Sequence, residues 1–167
     1  MLQATGQRLA QGIICGHWAL AFSFDWARHI VESFEVSAIP RSPHWLLGSA
    51  NVDSSIVPVV DLALYFGTST GTASLAPSTL SSPSAPQRRL LVGRLASQDA
   101  GEALGLVFTG LPQQLKYLPA PLTDAGALPA RLREVCEGMA RDASGRDFLE
   151  INTQMLKAIL ADELSLR

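Results

Sequence analysis

Two cysteines, three histidines and a few carboxylates are the side chains in this sequence that could do chemistry. Cys15 and His17 are one residue apart. If they lie on one strand they share a face, and thiolate plus imidazole is a metal-binding pair. Two ligands leave a zinc site incomplete, so two ordinary core residues are the simpler reading. His17, His29 and His44 have neither helix-face spacing nor a Cys-x-x-Cys partner. Asp25, Glu32 and Glu35 could pair as acid and base in a cleft, yet carboxylates so placed usually form a solvated face. His29 could make binding pH-sensitive if it faces a charge. No G-x-S-x-G elbow, phosphate-cradling glycine loop or zinc-protease helix motif occurs. The chemistry on offer is therefore that of recognition, with no catalytic, cofactor-binding or metal site.

The elements that must position these residues read as mostly β. The 167 residues suit one domain, and 47% hydrophobic against 17% charged content favours a well-buried core. A formal charge of -2 gives no electrostatic footprint for nucleic acid. Two cysteines are too few for a disulfide framework, which fits a reducing compartment. Leu9 to Phe24 is too short and too polar to span a membrane and reads as core strand. A cytoplasmic protein is expected.

Residues 1 to 12 read as a weakly attached start. "IICGHWALAFSF" is a strand or hairpin, Trp26 to Val31 one helical turn, and "SFEVSAIP" a strand ending at Pro40. "WLLGSANV" runs to a reverse turn at Asp53-Ser54-Ser55. Ile56 to Val60 follows as a strand with both faces covered, with Pro58 at an edge or bulge. Asp61 is the expected N-cap of a short helix, and Gly67 its left-handed terminator. Thr68 to Gln87 carries no charge and is rich in Ser, Thr, Ala and Pro, which makes a mobile loop. "RLLVGRLA" and "ALGLVFTGLP" form a hairpin about the polar "SQDAGE". Residues 128 to 141 fit either a helix or a hairpin. Asn152 caps a final helix with an apolar stripe of Leu156, Ile159, Leu160 and Leu164. Trp18 belongs to the core, and Trp45 to either the core or an interface.

One ordered set of features is more specific. "IPRSPHWLLGSANVDSSIVPVVDLALYFG", Ile39 to Gly67, resembles the core signature of the CheW-like chemotaxis coupling proteins. It has the proline-bearing turn, the apolar strand ending at Gly48, the Asn51 turn, the Pro58-Val-Val-Asp-Leu strand and a short helix closed by Gly67. "GLVFTGL" and "FLEINTQML" extend the likeness, so that residues 1–167 form a single domain. The resemblance implies two small SH3-like five-stranded β-barrels around a shared hydrophobic core, with a few short helices and a C-terminal helix.

It also implies a non-catalytic adaptor. Such a protein couples the cytoplasmic tip of a chemoreceptor to the regulatory domain of a CheA-type histidine kinase, without cofactor or membrane insertion. Asn51, Val52 and Asp53 carry over as receptor-facing, and Ala27, His29 and Ile30 as kinase-facing. Ile56 and Val57 are expected to support the groove from inside. Departures fall on polar positions. The family's turn arginine is Asp53, the following glycine is Ser54, a glutamate falls on His29, and an acidic strand residue on Thr109. A carboxylate that would pair with the arginine is repelled by Asp53. A divergent module that self-associates through barrel edges is the alternative.

Overall fold

One long strand organises the molecule. β7, Ala103–Ala120, contributes its first half to one barrel and its second half to another. The computed structural model describes residues 6–15, 18–67, 88–94, 103–123 and 125–165, without the side chains of Arg28, Arg94, Leu164 and Ser165. The loop expected over 68–87 and the "SQDAGE" turn lie outside the described residues.

The first barrel is built from β3 (Ala27–Val31), β4 (Leu46–Val52), β5 (Ser55–Asp61), β6 (Arg88–Arg94) and the start of β7. They pair in the order β3-β6-β7-β5-β4, and no ladder joins β3 to β4 among the described residues. β4 shows why these residues make a strand. Leu46, Gly48, Ala50 and Val52 are buried in alternation, which gives the chain one inward and one outward face. Ala50, Val52, Val57, Val59, Leu90, Val92 and Val107 fill the interior.

The second barrel closes on itself. β1 (Arg8–Cys15) pairs with β2 (Trp18–Ser23), β2 with β9 (Asp147–Ile151), β9 with β8 (Cys136–Arg141), β8 with the end of β7, and β7 with β1. Ala10, Ala21, Leu115, Tyr117, Ala140 and Phe148 fill it. A third cluster lies between the barrels and under the helices α1 (Leu62–Phe66), α2 (Ala130–Val135) and α3 (Thr153–Ser165), with Phe22, Trp26, Tyr65, Leu132 and Leu156 among its members. The shared core was expected; the separate interiors of the two barrels are the addition.

Several local expectations hold. Asp61 accepts a hydrogen bond from the Leu64 N–H at 3.2 Å, and Gly67 ends α1 at φ 70°. Asn152 caps α3 through the Met155 N–H at 3.0 Å, and Leu156 and Leu160 are buried beneath it. Pro58 pairs with Ser49, one residue before β5 joins β7, so its missing N–H falls where β5 has not yet gained its second neighbour. Residues 128–141 satisfy both patterns in turn, α2 first and then β8.

Others are corrected. The chain does not begin loosely through residue 12, because β1 starts at Arg8 and is paired on both sides. Trp26 to Val31 is no helical turn: pairing with β6 draws Ala27–Val31 out as a strand. "SFEVSAIP" is irregular apart from one bridge, Ser37 to Ser49. Trp45 is buried and meets Tyr65 edge-on at 5.1 Å, which removes it from any interface. Ile56 is 78% exposed, so it does not support a groove from inside.

Candidate protein interface

The β4–β5 hairpin turns on two residues, because Val52 pairs with Ser55. Asp53 and Ser54 between them have φ of 49° and 66°. Two successive left-handed residues match the right-handed twist of a hairpin, which is why glycine and asparagine are usual there. Aspartate tolerates the conformation, whereas serine adopts it at a cost.

Alternation decides what this hairpin shows to solvent. Val52 and Val57 point into the first barrel, and Asn51 and Ile56, paired across the strands, are exposed. Of the three positions assigned to a receptor, Asn51 and Asp53 thus present side chains and Val52 presents only backbone.

β3 supplies the other three. Ala27 is buried, Ile30 is half-buried against the shared cluster, and His29 is exposed. A bulge between Ala27 and His29 resets the alternation. The structure then brings together two positions that the sequence kept apart. His29 Nδ1 lies 3.3 Å from Asp53 Oδ2, so an imidazole of β3 meets the turn carboxylate where, among the described residues, no ladder joins β3 to β4. This contact requires the barrel to be assembled, and nothing in the local sequence announces it.

Several of the remaining chemically capable groups have structural employment. Glu32 is an exposed carboxylate 3.4 Å from Arg89 Nε, and Arg89 donates from Nη1 to the Gly110 carbonyl at 2.6 Å. Asp25 and Glu35 are exposed. Cys15 is buried at the end of β1. His17 itself lies outside the described residues. Burial pushes the Cys136 thiol up, away from reactivity. Glu150 is buried, accepts from Tyr117 Oη at 2.9 Å and pairs with Arg8. On the second barrel a cavity of about 520 Å³ is floored by Leu118, Pro119 and Met139. At its rim Arg141 Nε donates to Asp147 Oδ1 at 2.8 Å, and Asp142 Oδ1 accepts from the Ser144 hydroxyl and the Arg146 backbone N–H. Those bonds keep both carboxyls below the usual carboxylate range, the opposite of what a general acid needs. Among the described residues no group of three His, Cys, Asp or Glu is placed to hold a metal ion. Among them, too, no helix is long and apolar enough to cross a membrane.

The comparisons agree with this architecture. A crystal structure described as the scaffolding protein TtCheW from Thermoanaerobacter tengcongensis superposes with a TM-score of 0.64, over 86% of this chain and 88% of that one, at 15% identity. At that identity the likeness shows the fold: twin SH3-like barrels. A segment of 51 residues is 37% identical to the chemotaxis protein CheW of Thermotoga maritima; it spans 30% of this chain and only 34% of that relative's length. The family profile described as "CheW-like domain" matches residues 13–159. With most of the chain inside that match, the protein belongs to the CheW-like domain family, a scaffolding family of chemotaxis signalling.

Proposed function

We propose that this protein is a signalling adaptor coupling chemoreceptors to a CheA-type histidine kinase, in a cytoplasmic chemosensory pathway that serves chemotaxis or twitching or gliding motility. The supporting observation is the adjacency of β3 and the β4–β5 turn, joined by the His29–Asp53 contact. Two partner surfaces so placed can be held by one small rigid body, which is what a scaffold requires. Asn51, Val52 and Asp53 face the receptor tip in this reading. Ala27, His29 and Ile30 face the kinase regulatory domain, with Ala27 acting through its backbone.

The test is calorimetric titration of the chain with the regulatory domain of a histidine kinase from the same organism, with Asp53→Arg alongside. Micromolar or tighter binding by the unaltered chain is expected. Absence of binding in both forms overturns the reading. The open side of the first barrel supports a second reading, a self-associating module, since β3 keeps an edge that a second copy could pair with, while the facing edge of β4 is bridged by Ser37 at Ser49. Light scattering that reports a stable homodimer without kinase affinity would favour it.

A further inference from the structure

We infer that the end of the β4–β5 hairpin docks a protein segment carrying a basic residue beside an apolar one, with Ile56 as the apolar anchor, Asp53 as the counter-charge and His29 as an internal competitor for Asp53. The inference rests on the receptor-facing reading of this turn and names the chemistry of that partner.

Three observations converge on it. Ile56 is 78% exposed, among the most exposed large apolar side chains described, and it sits directly across the ladder from exposed Asn51. A single exposed isoleucine is unremarkable alone. Here it flanks a two-residue turn held in left-handed geometry without glycine, which fixes the direction of the hairpin end. The Asp53 carboxylate at that turn is 64% exposed and pairs with His29, which is charged only when protonated. A guanidinium or ammonium from a partner carries its charge at every physiological pH and complements Asp53 better than an imidazole does. Its arrival releases His29 from the turn.

A carboxylate next to an apolar side chain thus selects against an acidic partner surface and for a basic one. Electrostatics of this kind sets partner choice, while the buried apolar contact supplies most of the affinity.

The probe is the cytoplasmic signalling-tip fragment of a chemoreceptor from the same organism, titrated into the full chain by calorimetry at neutral pH. Ile56→Ser is expected to weaken binding by about tenfold, a loss typical of one interface anchor. Asp53→Asn is expected to weaken it about fivefold and to flatten its dependence on salt. His29→Ala is expected to tighten it about twofold, because a competitor is removed. All three side chains are exposed, so melting temperatures within a few degrees of the parent identify folded variants. Binding to the kinase regulatory domain, measured in parallel, is expected to ignore Ile56→Ser. Variants that bind the receptor fragment like the parent, or His29→Ala weakening it, would overturn the inference while leaving the adaptor reading intact. A loss confined to the kinase would overturn it too. If the unaltered chain binds no receptor fragment, the receptor-facing reading itself falls, and this assignment with it.

Discussion

His29 of β3 and Asp53 of the β4–β5 turn touch at 3.3 Å, on the barrel side where no ladder joins β3 to β4 among the described residues. Both residues are exposed, so the contact is expected to be weak. A double-mutant cycle with His29→Ala and Asp53→Ala, read by urea denaturation, is expected to give a coupling below about 1 kcal/mol that shrinks in salt. A coupling of several kcal/mol would mean that the pair is buried in solution.

The second residue of the same turn gives a prediction of opposite sign. Ser54 holds φ at 66°, where a side chain is disfavoured. Ser54→Gly is expected to raise stability by up to about 1 kcal/mol, less the backbone entropy that glycine costs. Destabilisation by more than about 1 kcal/mol, beyond what glycine's entropy costs, would count against left-handed geometry at Ser54.

Gly93 is packed face-on by Trp26. A methyl group there would lie 2.0 Å from the indole, so Gly93→Ala must displace a ring that also stacks on Phe22 at 5.8 Å. Destabilisation of about 2–3 kcal/mol is expected by thermal or chemical unfolding, together with a shift in tryptophan fluorescence.

Tyr117 holds a buried charge in place. Its hydroxyl donates to Glu150 at 2.9 Å, and Glu150 is almost without solvent. Tyr117→Phe is expected to cost about 2 kcal/mol, the usual penalty for removing a hydrogen bond to an ion. Arg8 remains as the partner of Glu150, so the fold is expected to survive at room temperature.

The chain has two tyrosines, and both resist ionisation. Burial pushes the Tyr65 hydroxyl up to about 12, and burial together with the bond to Glu150 raises Tyr117 as well. Each folded value exceeds the unfolded one, so the associated stability is complete below about pH 10 and is lost as pH rises through the folded values. Absorbance near the tyrosinate band is expected to stay flat past pH 10 and to rise steeply with unfolding. A normal titration near pH 10 in the folded protein would count against the packing of both residues.

What the sequence disclosed was what local rules decide. Asp61, Gly67 and Asn152 are capping residues whose partners lie within four positions, and all three do what their types suggest. β3 escaped because its short run lacks alternation, and only β6 beside it makes it a strand. Ile56 misled because a β-branched residue at the head of an apolar run looks buried, whereas its pairing with Asn51 puts it on the outer face. The segment 128–141 looked ambiguous because it changes element at Cys136, so both patterns were true of different halves. The contact between His29 and Asp53 was beyond reach, since it exists only once non-neighbouring strands have closed around a common interior.

The path of the chain through β7 carries a consequence for how the molecule is made. β3 to β6 and the first half of β7 follow one another along the chain, but the second barrel takes β1 and β2 from one end and β8 and β9 from the other. The first is therefore nested inside the second. On a ribosome the inner barrel has all its strands before the outer one does, and β1 and β2 have only the end of β7 to pair with until β8 and β9 emerge. Final closure then depends on a parallel pairing between β2 and β9, the most distant partners in the chain, and that step sets when the scaffold becomes whole.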